Sequence, residues 1–289
     1  MSHVAPLRVG PFEIVVVCQG SAPLDLADEC PGHEVDWRLE RALHPWAFGD
    51  DGSWPWHVHA FAVRGPGGLA MVDTGLGSYP PYRPWGPDPG VSATEAYDEA
   101  GVEVAEVRVV VLSHLHADHA GGSWGAEGPR FPEAKYVLHE ADVDFFSATP
   151  DADAYSALPE LRRIEALGML DADPDDREVM AGLRIVHTPG HTPGHRSVVL
   201  DAGDERVLLT GDLLHLPVQA AHPSWPSSHD EDADTGAASR TSVLAMAAKS
   251  GWHVGVQHFA SPFGHIDDRG WRSAGSVEDP TRDGRAGRT

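Results

Sequence analysis

The chain has 289 residues, 41 % of them hydrophobic and 22 % charged, a balance that suits a folded globular protein and excludes a disordered one. Lysine plus arginine number 21 against 44 aspartate plus glutamate, giving a formal charge of −23 at pH 7. A surface that acidic repels phosphate backbones and anionic headgroups, so neither nucleic acid nor membrane is expected as a partner.

The first residues, MSHVAPLRVGPFEIVVVCQG, have no basic leader ahead of a long apolar core, so no signal peptide is expected. Phe12 to Val17 reads as the first strand, followed by a loop rich in Pro, Gly, Trp and Asp up to about Pro55. Trp56 to Val63 alternates with the period of two of a half-buried strand, and Leu69 to Val72 is a short apolar strand ending at Asp73-Thr74-Gly75. Five prolines between Tyr79 and Gly90 mark an irregular loop. Ser92 to Ala100 reads as a helix capped by Ser92 and stopped by Gly101.

Val107 to Leu112 and Lys135 to Leu138 are buried-type strands; Asp142 to Phe146 and Ala154 to Leu167 read as helical. Leu183 to His187, Ser197 to Leu200 and Val207 to Leu209 are strands, Ser239 to Ser250 is an amphipathic helix stopped by Gly251, and His253 to Gln257 is a last strand. The polar stretch after Trp271 is expected to be disordered. Strands and helices interleave without a central linker, which makes residues 1–271 a single α/β domain with residues 272–289 as its tail.

Two cysteines, Cys18 and Cys30, make no disulfide framework, and a cytoplasmic home with reduced thiols is expected. The unusual number is 18 histidines, and many of them cluster. Ser113-His114-Leu115-His116-Ala117-Asp118-His119 follows a strand directly. Positions i and i+2 of an extended segment share a face, so His114 and His116 can hold one ion, while Asp118 and His119 lie where the chain turns and can face a neighbouring ion. Imidazole and carboxylate without cysteine suit zinc, iron or manganese in a reactive site more than a structural zinc. A loop of solvated histidines is the plainer alternative, but it does not account for such spacing.

His191 stands in the second cluster, His187-Thr188-Pro189-Gly190-His191-Thr192-Pro193-Gly194-His195, again after a strand; His195 is a second ligand candidate, with a supporting or packing role favoured because the residues after it enter the next strand. Asp212 in Thr210-Gly211-Asp212 sits at a strand end, where a carboxylate can bridge two ions. Asp73 and Asp212 alone read as turn residues; what changes the reading is four strand ends that each carry His or Asp. A last ligand is expected at His258, which terminates a strand, in preference to His265, which is read as a loop residue able to line the pocket. Trp54, Trp56, Phe146, His215, Trp225 and Phe263 are candidates for the pocket wall, with core packing as the plainer role of each.

In order and spacing, Asp73 in VDTG, HLHADH, TPGHTPGH, the Gly-Asp at 212 and a late histidine resemble the motifs of metallo-β-lactamase-fold hydrolases over residues 56–265. The resemblance implies a four-layer αββα sandwich with a metal site at one edge between two sheets. It implies that His114, His116 and His191 hold one ion, that Asp118, His119 and His258 hold a second, that Asp212 bridges, and that Asp73 orients a ligand. Gly211-Asp212-Leu213-Leu214-His215, Pro217-Val218-Gln219, Ser239-Arg240-Thr241 and His258-Phe259 with His265 look like the branch containing methyl parathion hydrolase and lactonase-like enzymes. No tyrosine closely follows Asp212, unlike the quorum-quenching lactonases, which weighs against an acyl-homoserine lactone. No C-terminal domain of the glyoxalase II kind is expected, and the acidic balance weighs against an RNA-processing member.

The expectation is thus two divalent ions, zinc foremost with iron or manganese also suited, that activate a water to cleave a small ester, lactone or related molecule, with Asp118 orienting the water or relaying its proton. A β-lactam or phosphotriester substrate, or an iron-dependent oxidoreductase on the same ligands, is the alternative. Whether the chain forms a homodimer is left open.

Overall fold

The computed structural model describes residues 4–27, 29–76 and 93–274. Seven strands form the first sheet in chain order: β1 (Leu7–Val9), β2 (Phe12–Leu24), β3 (Trp54–Gly65), β4 (Gly68–Val72), β5 (Val107–Val111), β6 (Lys135–Leu138) and β7 (Leu170–Ala172). Valine and isoleucine dominate β2 and β5, whose branched side chains pack well on a pleated surface. Pairing is antiparallel from β1 to β4 and parallel from β4 to β7.

The second sheet takes the rest of the chain: β8 (Glu178–Met180), β9 (Leu183–His187), β10 (Arg196–Asp201), β11 (Arg206–Leu209), β12 (His253–Gly255), β13 (Phe263–Asp267) and β14 (Gly270–Ser273), also in chain order. Only β11 and β12 pair in parallel there, because α7 (Ala233–Ser250) carries the crossover between them. The connection between the sheets is the short segment 173–177, so each half of the chain builds one sheet.

Three apolar layers follow. Phe12, Ile14, Phe61, Val63, Val72 and Val111 meet Leu183, Ile185, Val198, Leu200, Val207 and Leu209 between the sheets. The outer face of the first sheet packs under α2 (Ala93–Glu99), α4 (Glu140–Ala148) and α5 (Leu158–Ala166) through Met71, Val110, Tyr136, Tyr97, Phe146, Leu161 and Ile164. The outer face of the second packs under α6 (Pro217–Ala221) and α7 through Leu208, Val254, Val218, Leu244 and Ala247, with Trp54 and Trp271 closing the layer. The remaining helices are short: α1 (Trp37–Leu43) and α3 (Ala117–Ala120). This is the expected αββα sandwich.

Several elements differ from the sequence reading. β2 runs past Val17 to Leu24 through a bulge between Cys18 and Ser21. Helix α5 starts at Leu158, not Ala154, with Pro159 in its first turn, where its missing N–H costs nothing. Helix α7 starts at Ala233, six residues before the expected Ser239, because Asp232 caps it through the Thr235 amide and hydroxyl. Arg272 and Ser273 pair in β14, beyond the expected end of the domain at Trp271. The Tyr79–Gly90 loop, Ser92 and residues 275–289 lie outside the described residues.

Candidate metal centre

The site forms where strand ends of both sheets meet. From the first sheet, Asp73 follows β4 and His114, His116, Asp118 and His119 follow β5. From the second, His191 follows β9, Asp212 follows β11 and His258 follows β12. In the described residues the seven expected ligands come together.

The nitrogens His114 Nε2, His116 Nδ1 and His191 Nε2 lie 2.9, 3.0 and 3.2 Å apart. Donors at 2.0–2.1 Å from a tetrahedral ion are separated by about 3.3 Å, so this triangle fits a zinc-sized cation with a modest spread. Asp212 presents Oδ2 to this set, 3.3 Å from His191 Nε2. Its other oxygen, Oδ1, stands 3.1 Å from His119 Nε2 and 3.0 Å from His258 Nε2, which are 3.2 Å from each other. Asp118 Oδ2 completes that second set at 3.7 and 3.8 Å from the same nitrogens.

The outer nitrogens explain why the inner ones are lone pairs. His119 Nδ1–H donates to Asp73 Oδ2 at 2.9 Å and His258 Nδ1–H donates to the His57 carbonyl at 2.6 Å. His114 Nδ1–H donates to Ser113 Oγ at 3.0 Å, and Ser113 Oγ–H donates on to Asp73 Oδ2. Each of these rings therefore turns Nε2 inward, the nitrogen that is free to bind an ion once it has no proton. Lone pairs of His119 and His258 aimed at a buried carboxylate oxygen, Asp212 Oδ1, repel unless a cation or a proton stands among them.

Electrostatics agree. Burial, helped by neighbouring imidazoles, holds His114 well below its ordinary pKa, and burial with His191 pushes His116 down to about 3. Both are neutral at pH 7, the form that binds metals. Burial alone would raise Asp212, yet His119, His258, His215 and His191 hold it well below the carboxylate range. Burial alone would lower His119, but Asp212, Asp118 and Asp73 raise it well above its ordinary value. A proton on His119 thus occupies the place between carboxylates that a cation competes for.

The supporting residues act through these. Asp73 accepts from the Ser113 amide at 2.7 Å, from Ser113 Oγ, from His119 and from Gln257 Nε2 at 3.1 Å. His195 donates from Nδ1 to the Thr188 carbonyl and accepts the Asp212 amide at Nε2, both at 2.9 Å, so it fixes the backbone of the bridging residue. Gly211 makes that contact feasible: its φ is +57°, and a Cβ there would stand 2.5 Å from His195 Nε2. Gly211→Ala is expected to destabilise the fold by about 1–3 kcal/mol, read as a lower midpoint in urea denaturation.

Asp142, not anticipated from the sequence, ties the two histidine loops together. It accepts the Leu115 amide at 3.1 Å and the Gly194 amide at 2.6 Å, and its burial pushes its pKa up to about 7. Asp230 is a second such residue. It lies 3.8 Å from His191 Nδ1 and is held by the buried Arg240 at 3.1 Å. Neither had a local signal, although Ser239-Arg240-Thr241 had stood out.

A cleft of about 220 Å³ opens over the site, lined by Ala22, Trp56, Val58, Leu76, His116, Asp118, Tyr155, His191, Asp212, His215 and His229. Of the expected wall residues, Trp56 and His215 are present; His215 Nε2 lies 3.1 Å from Asp212 Oδ2. Phe146 supports the His116 ring edge-on from the core, Trp54 and Phe263 are core residues, and Trp225 stacks on His33 and His222. His265 is not a loop residue. It lies in β13 opposite His253 and bonds the Trp252 carbonyl, because Gly264 and the β14 hairpin keep that segment in the sheet. It does not line the cleft.

Among known proteins, the N-acyl homoserine lactonase of a Bacillus species is 34 % identical over 116 residues, 40 % of this chain and 42 % of that one. N-acyl homoserine lactonase AttM of Azorhizobium caulinodans is 36 % identical over 132 residues, 42 % and 44 % of the two chains. The chain thus spans less than half the length of these relatives. The fold is that of the solved structure of AidC, a dizinc quorum-quenching lactonase, at a TM-score of 0.79 and 20 % identity over 95 % of this chain and 98 % of that one. The hydrolase AbOPH aligns at a TM-score of 0.75 and 21 % identity over 94 % and 97 %. The family model described as Metallo-beta-lactamase superfamily matches residues 53–251, the stretch that contains every strand end of the site except His258, and the chain belongs to that superfamily.

Proposed function

We propose that the chain is a dinuclear-metal hydrolase, zinc being the first choice of ion, that cleaves a small ester or lactone. One observation carries this reading: the two oxygens of the buried Asp212 face two separate sets of imidazole nitrogens. His114, His116 and His191 would hold one ion, Asp118, His119 and His258 the other, and Asp212 both. When bound, such ions supply Lewis acidity toward the substrate oxygen and bring the pKa of a water down to near neutrality.

The chain's own residues do the rest. Asp118, the most exposed of the acidic donors, faces the cleft and is placed to take the proton of the attacking water. It then returns that proton to the departing alkoxide, which balances the hydrolysis. Trp56, Val58, Ala22 and Leu76 give one wall an apolar surface suited to an acyl or alkyl group. His215 donates from Nε2 to Asp212 Oδ2, and Trp56 stacks on His215 and lies 3.9 Å from the His258 ring, centre to centre, so both rings are packed in place. Tyr155 enters the cleft from the loop between α4 and α5, although no tyrosine closely follows Asp212 in sequence. Burial and Glu231 raise its pKa, so a phenol proton is available to a substrate oxygen.

The test is metal quantification beside a turnover screen of lactones, acylated lactones among them, aryl esters, β-lactams and phosphotriesters. Zinc with lactone or ester turnover supports the reading; iron with an absorption band in the visible and no hydrolysis overturns it. Of the two late histidines, His258→Ala is expected to lower bound metal by about one ion per chain, whereas His265→Ala keeps the parent's content. Metal loss confined to the His265 variant would show the last ligand to be misassigned.

A further inference from the structure

The strand that carries Trp56 and Val58 to the catalytic cleft has a second face. Residues of a strand alternate between faces, so His57 and His59 point away from that cleft. On the neighbouring strand Cys18 is paired directly opposite His59. One ring nitrogen of His57, one of His59 and Cys18 Sγ all lie within 4.8 Å of one another. The register of β2 against β3 shifts between Cys18 and Ser21, and this bulge brings Ser21, not Gly20, opposite His57.

His59 is 2 % exposed and His57 is half-buried, and Nδ1 of both has no hydrogen-bond partner among the described residues. Two buried ring nitrogens left without a partner beside a thiol are not what packing alone selects. The three side chains lie in the wall of a cleft of about 970 Å³, so the cluster is reachable; the same wall holds Glu99, Arg64 and Glu13, the last paired with Arg8.

We propose that Cys18, His57 and His59 form a separate binding site for a thiophilic transition ion, Zn²⁺ in the first instance. Two imidazoles and a thiolate make a donor set softer than the His/Asp set of the catalytic centre, and the three donors leave room for a water or a small ligand as a fourth. The site is not isolated from the catalytic one. The His57 carbonyl accepts His258 Nδ1–H and the His57 amide faces the His258 carbonyl at 3.5 Å, so an ion on the His57 ring also steadies the backbone that orients His258.

The test exploits sulphur. The purified full chain is loaded with Co²⁺ under reducing conditions and its absorption recorded. The catalytic donors contain no thiol, and Cys30 belongs to no group of three metal donors among the described residues. A thiolate-to-cobalt charge-transfer band in the near ultraviolet is expected in the parent and in Cys30→Ser, and is expected to vanish in Cys18→Ser while the visible cobalt bands of the His/Asp donors remain. Zinc content measured in parallel should fall by about one ion per chain in Cys18→Ser only. A parent protein without the band, or a band that survives Cys18→Ser, overturns the proposal. Should Cys18→Ser not fold, His59→Gln replaces it: at least about tenfold more Co²⁺ is expected to reach half the band, and an unshifted titration overturns the site.

Discussion

Asp212→Ala is expected to lose both ions of the proposed pair and to lower kcat/KM at least about 1000-fold, equivalent to about 4 kcal/mol of transition-state stabilisation. The reason is its position: one oxygen faces His191 and the other faces His119 and His258. No other described acid reaches both nitrogen sets; Asp118 Oδ2 is near only His119 and His258. Without the carboxylate, His114, His116 and His191 have no anionic donor beside them, and His119 and His258 keep only Asp118. Metal content by elemental analysis and turnover on the best substrate of the screen check the result together. A variant that keeps both ions and most of its activity would remove the bridging role, and the dinuclear reading with it.

The second large effect is expected at a residue that touches no ion. Asp73 accepts four hydrogen bonds, and its backbone sits at φ +63°, a conformation that asparagine tolerates as well as aspartate does. Asp73→Asn therefore changes the chemistry and not the turn. An amide has one acceptor oxygen, so at least one of the donors now meets an N–H. If His119 turns its proton to Nε2, the lone pair that faced Asp212 is lost. Metal affinity at the His119 position is expected to fall about 10–100-fold, read by competition with a chelator. Stability is expected to fall by about 1–3 kcal/mol from the buried donors left unmatched, read by denaturation of the ion-free protein. Unchanged affinity alongside the stability loss would leave Asp73 a structural residue only.

What the sequence made legible was whatever is local. His114-Leu115-His116-Ala117-Asp118-His119 carries its own geometry: an extended i, i+2 pair, then a single helical turn that swings His119 to the far side of Asp212. His191, Asp212 and His258 were readable because each ends an apolar strand, so a shared sheet edge followed from the pattern. Asp142, Asp230 and Gln257 were not readable. Each acts across 52, 39 and 184 residues of chain on Gly194, His191 and Asp73 respectively, and nothing near it in sequence differs from an ordinary surface polar residue. The same holds for the fold. The long strands announced themselves, while β1, β7 and β8, three residues each, are too short to show a period. His265 was misread as a loop residue because Gly264 and Gly270 weaken the strand signal of a hairpin whose glycines lie close against Arg272, Trp271 and Ala221.

The division of the chain at segment 173–177 has a mechanical corollary. In the proposed assignment each ion draws two donors from the N-terminal half, His114 with His116 or Asp118 with His119, and the remainder from the C-terminal half. Neither half alone can satisfy either ion. The pair of cations would then add a second tie to the buried apolar layer that already joins the two sheets, and a chain nicked within 173–177 should hold its fragments together to higher urea with zinc than without it.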